Sequence, residues 1–180
     1  MGFFDFIKKK DAVPLDPLKD LILEKMRIGY FVDYDMQTWQ VIGYNSYEYG
    51  EGESVDEWEL KHGREKRYLE RFEEDEVIWS FGQKIAIGAI EGDLRKYIMK
   101  NDDLPENITY NGLSYYLDES GAGYFYKNGT RPGIQFIFWN FIDEANDKYV
   151  SIEQWGESDF EASAGIFVEE YQFTNILPGE

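Results

Sequence analysis

The sequence predicts an all-β or β-dominated α+β chain of antiparallel sheets or partly open barrels, preceded by one short N-terminal helix. Three observations carry that reading. Aromatic residues supply much of the apolar material, with 14 Tyr, 13 Phe and 5 Trp in 180 residues, and flat rings suit half-buried pleated surfaces better than helix stripes. From Arg27 onward the apolar residues recur with a period of two. The runs are separated by glycine- and acid-rich turns at strand-like spacing. With 43% hydrophobic residues, the chain can bury a substantial core in one domain or in two closely packed halves.

The elements follow in chain order. The opening MGFFDFIKKK sets Phe3, Phe4, Phe6 and Ile7 ahead of Lys8, Lys9 and Lys10, the pattern of a short amphipathic turn that could tether the chain to a membrane surface or a partner. In DPLKDLILEKM, Asp16 stands as an N-cap and Pro17 at the first helical position, while Leu18, Leu21, Ile22 and Lys25 share one face. That spacing predicts a helix. Strand-like runs then cover 28–34, 38–47, 55–61, 64–72 and 76–81. His62-Gly63 lies between the third and fourth runs and predicts a two-residue hairpin turn. Residues 83–106 read as a strand end, a helical turn and a loop.

The remaining chain reads as a meander with turns at Asp118–Gly121, Asn128–Gly133 and Asp143–Asp147. IQFIFWNF is apolar on both parities, which predicts a central strand covered on both faces. A shift of 81 residues lays Trp58 on Trp139, Tyr68 on Tyr149 and Leu69 on Val150, so two similar β modules are one arrangement of these strands. The expected organisation is a flexible N-terminal segment at 1–15, a helix plus first β module at 16–100, and a second β module at 101–180 packed on the first.

Composition excludes several chemistries. The net charge of −18 would repel nucleic acid, whose binding draws on Lys and Arg neutralising phosphates. Without cysteine and with one histidine, thiolate catalysis, disulfides and Cys- or His-ligated metal sites are out, and no cofactor is expected. No apolar run reaches 18 residues, so a cytoplasmic protein is expected, peripheral to the membrane if the N-terminal turn tethers it.

The candidate binding residues are four tryptophans and two glutamates. Trp39, Trp58, Trp139 and Trp155, with Trp79, could form a stacking platform for a sugar or lipid-like molecule, although core packing is the commoner fate of tryptophan. Glu153 and Glu157 in IEQWGE share strand parity, but four residues of strand separate their Cα atoms by roughly 13 Å. Paired glycosidase carboxylates stand about 5–9.5 Å apart, so a strand end explains them better than a catalytic pair.

The segments IGYFVDYDMQTWQVIGY, DEWELK, RYLERFEEDEVIW, YNGLSYYL, FWNFIDEANDKYVSIEQWGE and FTNILPG together resemble bacterial proteins of the domain-of-unknown-function family 4178. The resemblance implies a bacterial, mostly β protein and brings no catalytic residue to carry over. The first functional expectation is a non-enzymatic, acidic accessory protein that docks on a protein partner. A ligand-binding β module with an aromatic cleft is the second, and a carboxylate-dependent hydrolase using Glu153 or Glu157 is the third.

Overall fold

The structure, a computed structural model, describes residues 16–179 apart from 18 and 74. Its strands are β1 (Phe31–Tyr34), β2 (Gln37–Glu48), β3 (Ser54–His62), β4 (Glu65–Glu73), β5 (Val77–Ile85), β6 (Asn107–Tyr110), β7 (Leu113–Lys127), β8 (Ile134–Asp143), β9 (Lys148–Gln154), β10 (Phe160–Val168) and β11 (Thr174–Leu177), with one α-helix, α1 (Leu94–Asn101). All eleven strands join one antiparallel sheet in the order β11-β1-β2-β3-β4-β5-β10-β9-β8-β7-β6.

Local chemistry sets the two hairpins that open each run of strands. Asp35-Met36 joins β1 to β2 and Asn111-Gly112 joins β6 to β7, and all four residues have positive φ. Such turns match the right-handed twist of the flanking strands. Past each hairpin a bulge follows, between Val41 and Gly43 in β2 and between Leu117 and Glu119 in β7. A bulge bends its strand and increases its twist. Beyond the bend, β2 and β7 leave β1 and β6 and pair with each other, with Tyr47 opposite Phe125 and Glu48 opposite Tyr124. This pairing closes β2, β3, β4, β5, β10, β9, β8 and β7 into an eight-stranded ring. The second join between the halves is β5 with β10, centred on Gly82 opposite Gly165.

Each strand of the ring presents one face inward and one outward. The outer faces carry two separate cores. The first holds Trp39, Trp58, Leu60, Leu69, Trp79 and Phe81 beneath Leu23 and Met26 from the N-terminal side and Phe173 from the C-terminal side. The second holds Trp139, Phe141, Val150 and Ile152 beneath Leu94 and Ile98 of α1. The inner faces meet across the ring, where Tyr47 and Val55 pack with Phe136 and Phe138, residues of strands that are not all sheet neighbours.

Several local expectations differ from the structure. Residues Leu23–Lys25 form a single 3-10 turn in place of the expected helix, and Leu23 is held by burial in the first core rather than by helix propensity. The hairpin turn after β3 is Gly63-Arg64, one residue later than expected, because His62 pairs with Glu65. His62 ends β3 with Nδ1 2.9 Å from the Thr38 carbonyl oxygen. Asp118–Gly121 is not a turn: the polar run there is the bulge within β7, a single strand of 15 residues. Over Phe138–Phe141 strand β8 is covered on both faces, by the ring interior and by the second core, but Ile134 and Ile137 are exposed. The C-terminal strand β11 returns to pair with β1 in the first half.

Candidate functional site in the ring interior

The inward residues of β3 are Val55, Glu57 and Glu59, and those of β4 are Tyr68, Glu70 and Phe72. Glu57 and Glu70 stand directly opposite each other in the β3–β4 register. Opposed Cβ atoms lie about 4.5–5.5 Å apart, and like charges in that relation are destabilising. Around them the ring supplies neutral donors. Asn45 Nδ2 donates to Glu57 Oε1 at 2.7 Å, the Tyr47 hydroxyl donates to Glu57 Oε2 at 3.2 Å, and the Ser80 hydroxyl donates to Glu70 Oε2 at 3.0 Å.

A third carboxyl, Glu153 of β9, reaches inward from the opposite side of the ring and is 7% exposed. Lys84 of β5 bridges it, with Nζ 3.3 Å from Glu153 and 2.9 Å from Glu161. Neither Glu57 nor Glu70 has an ion-pair partner among the described residues.

Burial dominates the electrostatics. It pushes Glu57 up to about 8, with the facing Glu70 adding to the rise. Burial likewise raises Glu70 and Glu153 above the usual carboxylate range, although Lys84 pulls Glu153 back down. Burial opposes the Lys84 ammonium, yet Glu153 and Glu161 outweigh it and hold the group above an ordinary lysine. Tyr47, Tyr49 and Tyr149 are raised by burial and by these carboxyls, so each phenol keeps its proton at neutral pH.

Beside these groups lies a cavity of about 220 Å³. Its deep wall comprises Glu70, Ser80, Tyr149 and Glu153, all on inward faces. Tyr149 lies across the join of the two halves, so close that a Cβ on Gly82 or Gly165 would strike its ring or hydroxyl. The mouth is mixed: Phe72, Ile78 and Phe167 line it, with Ile78 44% and Phe167 38% exposed, beside the exposed acids Asp118 and Glu119. A cavity of this size falls below the roughly 300–1,000 Å³ of drug-sized sites and fits a smaller molecule.

The structure distributes the sequence candidates widely. Trp39 and Trp58 lie in the first outer core and Trp139 in the second, where its Nε1 donates to Asp103 at 2.8 Å. Trp155 packs against Phe136 inside the ring, with centroids 4.9 Å apart. These four therefore share no exposed platform. Glu153 is in the ring interior while Glu157 is exposed on the loop between β9 and β10. Phe3, Phe4, Phe6, Ile7, Lys8, Lys9 and Lys10 lie outside the described residues.

Sequence reasoning missed Glu57, Glu70, Lys84 and Tyr149. It compared carboxylates along one strand, and the close pair lies across a hairpin. Asp143, an acid of the DEANDK loop, is committed to backbone, accepting from the amides of Asp147 and Lys148 at 2.8 and 3.0 Å. Among the described residues no three His, Cys, Asp or Glu side chains gather as a metal site.

The family pattern described as a domain of unknown function, DUF4178, matches residues 27–170, which span every strand of the ring. The chain belongs to the DUF4178 family. A bacterial relative, an uncharacterized protein of Aquifex aeolicus (strain VF5), is 28% identical over 182 residues and covers 99% of both chains. No solved structure matches. Among the described residues of this DUF4178 protein, no helix is long and apolar enough to cross a membrane.

Proposed function

We propose that the protein is a small-molecule-binding module whose site is the interior of the eight-stranded ring. The carrying observation is the cavity of about 220 Å³ with hydroxyl and carboxyl groups on its deep wall and exposed apolar side chains at its mouth. Polar groups converging in a largely apolar concavity are the usual composition of a ligand site. The aromatic lining comes from Tyr49, Phe72, Tyr149 and Phe167, not from the tryptophans. The negative surface keeps the chain soluble without specifying a partner, so the interior outweighs the net charge as a guide to function.

Filling the cavity tests this reading. Ser163 lines it and is half-buried, so Ser163→Leu should occupy the space while leaving both outer cores intact. A panel of neutral, cationic and anionic fragments of at most ten non-hydrogen atoms, screened by ligand-observed NMR, is expected to yield binders of the native chain that Ser163→Leu rejects. Binders that treat a folded Ser163→Leu chain and the native chain alike would place binding elsewhere and remove the proposal.

A further inference from the structure

We infer that the ring interior selects an organic amine cation, with its ammonium beside Glu70 and its apolar part against Phe72, Ile78 and Phe167. This rests on the small-molecule reading above and adds the chemical class. Three observations of the interior point to it, and each excludes an alternative.

The first is the unbalanced set of charges. From β3 the interior receives Glu57, from β4 Glu70, from β9 Glu153, and from β5 the single ammonium of Lys84. The other titratable groups of the packed elements are Glu59 on β3, Tyr68 on β4, Tyr47 at the end of β2 and Tyr49 after it, Asp118 and Glu119 from β7, Tyr149 from β9, Glu161 from β10 and Glu53 before β3, with Ser80, Asn140, Ser151 and Ser163 as neutral partners. Lys84 is the one cation in this set, and its ammonium is engaged by Glu153 and Glu161. An anionic ligand would therefore find no unengaged counter-charge among these groups, which a buried site penalises heavily.

The second observation is the register. Glu57 and Glu70 face each other directly, and only neutral donors reach them. A cation beside Glu70 would turn this pair of facing carboxyls, costly to ionise together, into a binding determinant. The acids are not gathered as metal ligands, so an ammonium suits the spacing better than a bare metal ion.

The third is the mouth. Ile78 and Phe167 leave a large fraction of their surface exposed at the edge of the cavity, whereas a purely inorganic cation would leave that apolar surface wet. A short alkyl or aryl chain extending from the ammonium covers it. Burial raises the Glu70 carboxyl, so an incoming ammonium favours its ionised form and displaces its proton.

The test uses three probes of matched shape: n-butylammonium, n-butanol and n-butyrate, titrated calorimetrically into the full chain at pH 6 and pH 8. Butylammonium is expected to bind at least about tenfold more tightly than butanol, the scale of one charge-assisted hydrogen bond. Its affinity should rise with pH through the range in which Glu70 ionises, and the heats in that range should depend on buffer ionisation enthalpy as protons are released. Glu70→Gln should erase the preference for the amine and the proton release, while the exposed Glu157→Gln should keep both. Unfolding midpoints of the two variants identify any loss that reflects misfolding, and Glu70→Asp then serves as a second variant that retains the charge and the preference.

If butanol binds as tightly as butylammonium in the cavity, the cation inference is overturned and the small-molecule reading stands. If butyrate binds best, the charge argument is wrong outright. If no probe binds and Ser163→Leu changes no fragment response, both readings fall together.

Discussion

The two halves of the ring are alike on their outer faces and, beyond one shared pair, different on their inner ones. Val32 pairs with Trp39 in the first half as Ile108 pairs with Tyr115 in the second, and Trp58 opposes Leu69 as Phe141 opposes Val150. The inner faces share one such pair, Tyr68 facing Gly82 as Tyr149 faces Gly165. Inside the ring the correspondence in position persists but the chemistry departs. Glu57 opposite Glu70 corresponds to Asn140 opposite Ser151, and Phe72 opposite Ile78 corresponds to Glu153 opposite Glu161. The outer faces need only volume and apolarity to cover a core. Apart from Tyr149, the inner faces depart at positions that line the cavity or support it, which is where a ligand would impose its own requirements.

The outer equivalence is the easiest to break. Trp58→Ala and Phe141→Ala each empty a side chain that is at most 1% exposed, and each should cost about 3–5 kcal/mol in urea unfolding. Trp58 also loses the hydrogen bond from Nε1 to the Met26 carbonyl at 3.0 Å, so it should be the more damaging of the two. A cost several-fold smaller at Phe141 would show that the second core is not the structural counterpart of the first.

The join between the halves gives the next effect. A Cβ on Gly165 would stand 2.5 Å from the Phe81 carbonyl oxygen and 2.7 Å from the Gly82 Cα, both backbone atoms that cannot swing aside. Gly165→Ala should therefore destabilise by about 1–3 kcal/mol. Gly88, whose added Cβ meets nothing within 4 Å, supplies the control, and Gly88→Ala should stay within about 0.5 kcal/mol. Equal unfolding midpoints for the two variants would mean that β5 and β10 do not approach as closely as this pairing requires.

Much of the outer architecture could be read from the sequence because it obeys strand periodicity. Trp58 and Leu60 alternate with Glu57 and Glu59, and Asn111-Gly112 announces its hairpin. The 81-residue shift placed Tyr68 on Tyr149 and Leu69 on Val150, which the strand pairings also relate. It laid Trp58 on Trp139, however, whereas the register relates Trp58 to Phe141. The connections between strands differ in length in the two halves, so no single shift superposes them.

The candidate site was hidden for a different reason. Alternating glutamates opposite an apolar parity are what a solvent-facing strand also shows. Only closure of β2 onto β7 turns that polar face inward, and closure depends on two bulges with no distinctive residue pattern. The tryptophans drew attention by their rarity, yet their size fits them for the cores that hold the ring from outside.

The most localised predicted effect concerns the feature that most separates the two halves, the carboxyl at Glu57 where the second half has Asn140. Glu57 takes up its proton near pH 8 in the folded chain, against an ordinary carboxyl value of about 4.3 when unfolded. Between those values the folded chain holds a proton that the unfolded chain lacks. By linkage, stability from this group is fully present below the unfolded value and is lost as pH rises through the folded one. Glu57→Gln mimics the protonated carboxyl and removes that slope, with residual slope left by Glu70 and Glu153, which burial also raises. In urea unfolding at pH 5, 7 and 8.5, the variant should lie closest to the native chain at pH 5 and exceed it by a margin that widens at each step up to pH 8.5. Parallel curves across this range would mean that Glu57 ionises at low pH in the folded chain, and that water or an internal cation already serves the pair that the amine is proposed to neutralise.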